Sequence, residues 1–409
     1  MEGVNMRNVI RLLIVLLVVA VAVLAFALKL RRTSTAKTSK LDSLVVHEWG
    51  TFTSIAGKDG VALEWRPLNG SADLPKFVHT MDKAGLGLRH QTKADLTASV
   101  RMETPILYFY PNQEMNISAE VGFPRGKITE WYPHARTVGT GINWGTIKVT
   151  PGAALNLPAD YSENHYYAAR ETDAALVHVC GSNGKVAEQE KFLFYRGVGN
   201  FDLPLSVKFQ NGQVTLRNSG KEQIARAIIF ESHNGKIGYR AIDNLTGEVI
   251  TERLALDSNI DAVIFELKQA LVTSGLYEKE AEAMIKTWRN SWFEDGMRVF
   301  YLLPRTNTDM VLPLTIQPTP TQVVRVLVGR TEVITPEMEK SVRDKVSLLS
   351  SPSSKVREEA RLAIQKYGRF SEPILKRIME GEKNPVVRTR IEQTIQTVTS
   401  HSDKRIVKS

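Results

Sequence analysis

The first candidates for functional side chains are His47 and Glu48, which are neighbours in a run of β-branched and aromatic residues. Imidazole and carboxylate groups bind metals and transfer protons. The run predicts a strand, in which successive side chains point to opposite faces, so the two cannot ligate one metal without a bulge. Either one of them lies in a cleft with another histidine, or they form a hydrogen-bonded polar pair on a strand.

A second group of candidates lies in residues 161–173, the densest polar and aromatic stretch of the central part. We expect a long connection between strands there, and such connections often carry binding residues. The candidates for metal ligation or acid–base work are His165, Glu171 and Asp173. The candidates for holding a sugar ring or a carboxylate are Tyr166, Tyr167 and Arg170. The alternative is a loop that its own tyrosines pin to the body.

Motifs that would name a reaction are missing from the sequence. It has no zincin, EF-hand or paired-cysteine spacing, no Gly-x-Ser-x-Gly elbow and no Walker-type loop. Gly197 and Gly199 precede no predicted helix, so they predict a tight turn rather than a phosphate-binding loop. The single cysteine, Cys180, excludes an intramolecular disulfide and is predicted to be a buried thiol. The sequence specifies neither a metal nor a cofactor.

Composition and charge place the chain among globular proteins. Its 409 residues are 43% hydrophobic and 24% charged, and the length suits two or three domains. Residues 1–40 carry seven Lys/Arg and one acid, residues 337–409 carry sixteen and ten, and the middle is slightly acidic. A near-neutral body with basic ends argues against nucleic acid as the ligand of the main domain.

The N-terminal region predicts membrane attachment. Residues 12–28 are seventeen residues without a charge, at the short end of the roughly 17–25 that span a bilayer. Residues 1–30 are therefore predicted to be a transmembrane helix or signal anchor, with residues 31–43 as a polar linker. The small-x-small triplet at residues 25–27 resembles a signal-peptide cleavage site, so a cleaved signal peptide is the alternative to an anchor. Basic residues lie on both flanks of residues 12–28, so the positive-inside rule gives no single orientation for the predicted helix. We expect a single-pass membrane protein whose body lies outside the cytoplasmic membrane.

The following elements predict an antiparallel β-sandwich over residues 44–255. Short runs rich in β-branched and aromatic residues alternate with Pro and Gly, and no helical period interrupts them. Residues 256–335 change character: helical periods at 261–273 and 277–293 precede strand-like runs at 298–303 and 323–328. This pattern predicts an α+β extension that packs on the sandwich.

Residues 336–399 predict a helical tail with internal repetition. Apolar positions of residues 355–364 coincide with those of residues 386–395 at a spacing of 31, and a proline stands before each run. The pattern resembles HEAT-type repeats, which stack helix pairs around a shared core and often bind proteins. The alternative is an unrelated four-helix tail, and residues 400–409 follow as a polar end.

Several motifs of the body resemble those of a known group of proteins. They are HEWGTFT at 47–53, ETPILYFY at 103–110, FYRGVGNF at 194–201 and TWRNSWF at 287–293. Together they resemble a family of uncharacterised bacterial envelope proteins over roughly residues 44–336. The resemblance implies a signal or anchor segment and export, and it implies no activity.

Two functional hypotheses follow, from different classes. The first is a binding or scaffold module of the bacterial envelope, with protein partners reached through the helical tail. The alternative is a metal-dependent hydrolase of an envelope polymer, in which His47 and His165 would share one cleft. No motif specifies a reaction, so the sequence leaves enzymes and binding proteins both open.

Overall fold

The computed structural model describes residues 43–67, 74–82, 93, 96–154, 156–160, 164–181 and 185–399. It is mainly β, with 41% strand and 29% helix, antiparallel sheets and a C-terminal helical region. This confirms the prediction of a mainly β protein with antiparallel sheets and a helical C-terminal region. The boundaries predicted between body, extension and tail stay predictions.

Eighteen strands form three sheets in the described part of the chain. They are β1 (Leu44–Ala56), β2 (His79–Thr80), β3 (Val100–Pro111), β4 (Met115–Gly122), β5 (Gly126–Tyr132), β6 (Thr137–Val138), β7 (Gly141–Thr150), β8 (Leu176–Cys180), β9 (Val186–Glu190), β10 (Leu193–Gly199), β11 (Leu205–Gln210), β12 (Gln213–Asn218), β13 (Ile224–His233), β14 (Lys236–Leu245), β15 (Glu248–Glu252), β16 (Gly296–Leu302), β17 (Leu314–Gln317) and β18 (Gln322–Val333).

Seven α-helices and two short 3-10 helices complete the elements of these residues. The α-helices are α1 (Ile260–Thr273), α2 (Glu278–Trp292), α3 (Arg305–Val311), α4 (Pro336–Leu348), α5 (Ser354–Gln365), α6 (Ser371–Gly381) and α7 (Pro385–Thr399). The 3-10 helices are His165–Arg170 and Gly368–Phe370.

The largest sheet has nine strands in the order β14-β13-β16-β18-β1-β3-β10-β5-β2. Its central pair, β1 and β18, is parallel, and the antiparallel sandwich predicted over residues 44–255 did not include this pairing. Parallel neighbours cannot be joined by a hairpin and need a long crossover. Here most of the chain separates the two strands, since Val46 is opposite Val323. Strands β16 and β18 of the predicted extension thus hydrogen-bond in the same sheet as β1.

Both faces of the large sheet are buried. On one face, Leu44 and Val46 of β1 join an apolar cluster with residues of the two smaller sheets, β11-β12-β15 and β17-β4-β7-β8-β9. On the other face, Trp49 joins a second apolar cluster with Leu267 of α1 and Met284 of α2. Because successive side chains of β1 point to opposite faces, the strand contributes residues to both clusters.

The helical tail, α4 to α7, has an apolar cluster of its own. Its core includes Val342, Ile364, Ile374 and Ile391, one from each helix. Ion pairs connect the tail to the rest of the chain: Lys58–Glu339 at 3.2 Å, Arg66–Glu372 at 3.0 Å, Arg253–Glu337 at 3.0 Å and Arg369–Glu294 at 2.6 Å. The tail is thus a separately cored unit with charged contacts to the body.

The membrane predictions need correction. Crossing a bilayer as a helix takes about 20 apolar residues. In the part of the chain that the structure describes, no helix is long and apolar enough to do so. The longest described helices, α2 and α7, have 15 residues each. This finding contradicts the predicted transmembrane helix, signal anchor and single-pass membrane location. Residues 12–28, on which those predictions were placed, lie outside the described residues, as do residues 1–42 as a whole and residues 400–409.

Candidate functional site

His47 and Glu48 point to opposite faces of β1, as the strand pattern predicts. His47 lies on the side of α2, where its Nδ1 is 2.7 Å from Oε2 of Glu280. Glu48 lies on the other side, where it accepts hydrogen bonds from the Tyr195 hydroxyl and from Nε of Arg325, at 2.5 Å. Each side chain is therefore part of a different buried polar group.

Glu280 is the centre of the group around His47. Besides the imidazole, its carboxylate accepts the Tyr110 hydroxyl and the backbone N–H of Tyr277, each at 2.7 Å. Burial and the neighbouring carboxylate raise the pKa of Tyr110 far above its ordinary value, so the phenol stays a donor. His47 is 1% exposed, and its Nε2 has no partner among the described residues. The group fastens the first turn of α2 to the sheet.

The tyrosines near residue 166 hold their own segment in place. The Tyr166 hydroxyl donates to Glu190 at 3.1 Å, and the Tyr167 hydroxyl donates to Asp160 at 2.7 Å. Arg170 donates to both carboxylate oxygens of Glu190, at 3.0 and 2.7 Å. Burial raises the pKa of Glu190 despite this pairing. These contacts favour the loop held by its tyrosines over a sugar or carboxylate site.

The two acids that follow lie on the surface. Glu171 is 2.5 Å from Nζ of Lys286, and Asp173 is 2.7 Å from Nζ of Lys279, both on α2. The hydrogen bond from Lys279 lowers the pKa of Asp173. His165 begins the 3-10 helix. Within the described residues, no three His, Cys, Asp or Glu side chains come together in a way that could hold a metal.

The predicted buried thiol is wrong. Cys180 is exposed, at the last position of β8, where the pairing with β9 shifts register. The strand ends there, so the sheet no longer covers the side chain.

A group of polar residues that sequence reasoning missed lies on the helix-covered face of the large sheet. We call it the charged platform. Its members are Thr51, Thr53, Arg101, Glu103, Glu130, Arg196, Arg298, Arg330 and Glu332. All but Arg101 are buried. On five strands they lie two positions from a residue of the second apolar cluster, on the same face: Arg196 follows Phe194, for example, and Arg298 precedes Phe300.

Strand register brings the platform residues side by side. Thr53 is opposite Arg330 on β18 and opposite Arg101 on β3. Thr51 is opposite Glu103, and Arg196 is opposite Glu130. Directly opposed residues on adjacent strands have Cβ atoms about 4.5–5.5 Å apart. Arg298 of β16 is opposite Glu332, so charged and hydroxyl side chains of six neighbouring strands share one surface.

Glu332 and Arg330 form the centre of the platform. Glu332 accepts from Nε of Arg298 at 3.1 Å and pairs with Arg330 and, at 3.5 Å, with Arg369 of the tail. Arg330 also donates to the backbone carbonyl of Ser291 at 2.7 Å, at the end of α2. The platform therefore contacts both α2 and the tail.

Burial and neighbouring charges act in opposite directions here. Burial would raise the pKa of Glu332, but Arg298, Arg330 and Arg369 lower it to about 2. Burial, together with the nearby Arg369 and Arg298, lowers the pKa of Arg330 to about 10, although Glu332 and Glu294 act in the opposite direction. The pKa of Glu103 is also lowered, because four arginines outweigh its burial. The carboxylates of Glu332 and Glu103 are therefore ionised at neutral pH.

The signal that would have found the platform is a period-two pattern of polar residues in apolar strands. Arg101 and Glu103, Thr51 and Thr53, and Arg330 and Glu332 are each spaced i, i+2 on strands rich in core residues. Charged side chains are rarely buried unless paired. Polar residues spaced i, i+2 on several core strands therefore indicate one shared polar surface, rather than unrelated buried charges.

Comparisons with known proteins assign the chain to no family. No protein-family model matches the chain, and no curated protein matches it. One solved structure that is similar is the Fcho1 Mu homology domain of Danio rerio with bound Eps15 peptide. It is 7% identical, covers 72% of this chain and 97% of that chain, and has a TM-score of 0.25. A TM-score this low carries no argument about fold or function. The resemblance to envelope proteins stays a prediction.

Proposed function

We propose that this protein is a binding module whose body holds a polar ligand at the charged platform. The observation that carries the proposal is the burial of eight charged or hydroxyl side chains on central strands. Replacing a buried ion pair with packed apolar residues is often neutral or stabilising. A sheet that keeps so many charges in its interior therefore gains little stability from them, which favours a use in recognition.

The rim of the platform gives a ligand access. The side chains of Arg101, Lys93 and Arg369 are 19%, 22% and 20% exposed, respectively. Lys93 donates to Glu130 at 2.7 Å, so it belongs to the same charged group. A ligand that displaces these flexible side chains would reach the buried members.

The finer architecture that we propose suits this function. The large sheet and the smaller sheets that share its first apolar cluster would form a sandwich-type body, and α4–α7 would be two HEAT-like repeats. In such a tail, α5 and α7 are equivalent helices, and each leaves a large apolar side chain exposed: Leu362 at 47% and Val386 at 54%. We propose that a protein partner binds there, where the basic residues of the tail favour an acidic segment.

Ligand binding to the purified full chain tests the proposal. Thermal unfolding would be followed against a panel of sugars, amino acids, carboxylates and phosphates, with native mass spectrometry to detect molecules that co-purify. A ligand that binds only the folded state raises the midpoint as its concentration rises. We expect at least one such ligand, with its response reduced by Arg330→Lys. If no ligand shifts the midpoint and none co-purifies, the body has no small-molecule site.

The partner proposed for the tail has its own test. Crosslinking in cell extract with the parent and with the Leu362→Glu and Val386→Glu variants should recover a protein with the parent alone. Glu359→Lys, on the exposed surface of α5, is the matched control and should retain it. Equal recovery with all four chains would place the partner elsewhere.

The hydrolase alternative has one supporting observation, the unpartnered Nε2 of His47 beside a carboxylate at Nδ1. A histidine oriented by a carboxylate can act as a general base when its other nitrogen faces a substrate. Metal analysis of the purified protein, with His47→Gln and His165→Ala, tests it. Absence of a co-purifying metal, with unchanged metal uptake in both variants, would count against the hydrolase.

A further inference from the structure

We propose that the ligand of the charged platform is a small oxyanion, a carboxylate or phosphate group, bound by Arg330 and Thr51. The inference rests on the proposed binding function and names its ligand class. It has two supports, which are the unpartnered donors and the geometry of the strands.

Two buried donors of the platform lack partners. Nε of Arg330 and Oγ1 of Thr51 are buried, and neither makes a hydrogen bond to any described residue. Leaving a buried polar group unsatisfied costs about 1–3 kcal/mol, and more for a charged one. By contrast, the donors of Arg298 are occupied by Glu332 and by the carbonyls at the end of α2. Arg330 and Thr51 are thus the groups that remain for a ligand.

The strand geometry places these donors close together. Arg330 is opposite Thr53, and Thr51 lies two residues before Thr53 on the same face of β1. Guanidinium and hydroxyl donors on one surface match the oxygens of a carboxylate or phosphate. A ligand with acceptor oxygens can accept from both Arg330 and Thr51, whereas a cation offers no acceptor to Arg330.

Inorganic phosphate and acetate are the probes for the two sources of an oxyanion. Thermal unfolding of the full chain is measured as each salt replaces sodium chloride at constant ionic strength. We expect a saturable rise of the midpoint with phosphate, with acetate, or with both. A rise with phosphate alone identifies a phosphate site, and a rise with acetate alone identifies a carboxylate site. If neither exceeds chloride, the inference is overturned.

Two threonine variants separate binding from structure. Thr51→Val removes the unpartnered hydroxyl with little change of shape and should weaken anion affinity about tenfold in calorimetry, a loss typical of one hydrogen bond to a charged group. Thr308→Val removes another buried, unpartnered hydroxyl, on α3 and outside the platform, and should leave that affinity within about twofold. Equal anion affinity of the parent and Thr51→Val would overturn the assignment of Thr51.

Arginine variants complete the test. Arg330→Lys should weaken anion binding by tenfold or more, since an ammonium cannot reproduce the fork of a guanidinium. Arg253→Lys is the matched control, because Arg253 also pairs with a buried glutamate, Glu231, away from the platform. A neutral ligand that depends on Arg330, with no response to either anion, would overturn this inference and leave the proposed binding function standing.

Discussion

Thr51 and Thr53 lie two residues apart on the same face of β1, both fully buried, and only Thr53 has a hydrogen-bond partner. Its hydroxyl donates to the carboxylate of Glu103 at 2.9 Å, whereas the Thr51 hydroxyl meets no acceptor or donor among the described residues. The two residues lie on the same strand and the same face, and they are equally buried. They are therefore a matched pair for measuring what an unsatisfied hydroxyl does to the fold.

We predict opposite effects on stability when each threonine becomes valine. Thr53→Val should lower the free energy of unfolding by about 1.5–3 kcal/mol, because a buried carboxylate loses a donor. Thr51→Val should leave it unchanged or raise it, since only an unsatisfied group is removed. Urea unfolding of the anion-free protein measures both. A larger loss for Thr51→Val than for Thr53→Val would show that the Thr51 hydroxyl is already satisfied.

The low pKa of Glu332 predicts acid sensitivity. Its folded pKa of about 2 lies below the ordinary value of 4.5. The stabilisation is therefore fully present above about 4.5 and is lost as the pH falls through about 2. A shift of this size corresponds to about 3 kcal/mol. Urea unfolding between pH 2 and 5 should show this slope.

The control for the acid prediction is a pair of glutamine variants. Glu332→Gln should be less stable at neutral pH and should flatten the slope between pH 2 and 5. Glu358→Gln should change the slope much less, because the pair of Glu358 with Arg361 is exposed to solvent. A slope unchanged by Glu332→Gln would mean that other carboxylates cause the acid sensitivity.

Local patterns predicted individual elements well. The helices expected at 261–273 and 277–293 are α1 (Ile260–Thr273) and α2 (Glu278–Trp292). Apolar residues at helical spacing and the stop near Gly275, which has a positive φ of 107°, define them locally. Short edge strands such as β15 and β17 were not predicted, because a few residues of alternating character resemble a loop.

Long-range pairing could not be predicted from local patterns. The parallel pairing of β1 with β18, and the contact of His47 with Glu280 across 233 positions, depend on the whole topology. The charged platform was missed for the same reason. Arg101 and Arg330 are far apart in sequence and become neighbours of Thr53 only when the sheet assembles.

The buried pair of Arg170 and Glu190 should behave as a coupled unit. Arg170→Met leaves a buried carboxylate without its cation and should cost about 3–5 kcal/mol. Burial already raises the pKa of Glu190. Glu190 of the variant should therefore take up a proton on folding, so the loss should shrink as the pH is lowered.

A double-mutant cycle measures the coupling. Adding Glu190→Gln to Arg170→Met removes the unpaired charge and should recover more than half of the lost stability in urea unfolding. Lys286→Met, which breaks the exposed pair with Glu171, is the control and should cost less than about 1 kcal/mol. Additive effects of the two substitutions at 170 and 190 would contradict the coupling.

The docking of the helical tail should depend on salt. The tail has its own apolar cluster, and ion pairs such as Arg66–Glu372 and Lys58–Glu339 connect it to the body. Raising the ionic strength from about 0.1 to about 1 M shortens the screening length from about 10 to about 3 Å. We therefore expect the radius of gyration from small-angle scattering to increase in high salt, and proteolysis near residue 334 to accelerate. Arg66→Glu should produce the same change at low salt, and the charge swap Arg66→Glu with Glu372→Arg should reverse it. A tail that stays docked in 1 M salt and in Arg66→Glu would show that packing, rather than charge, holds it to the body.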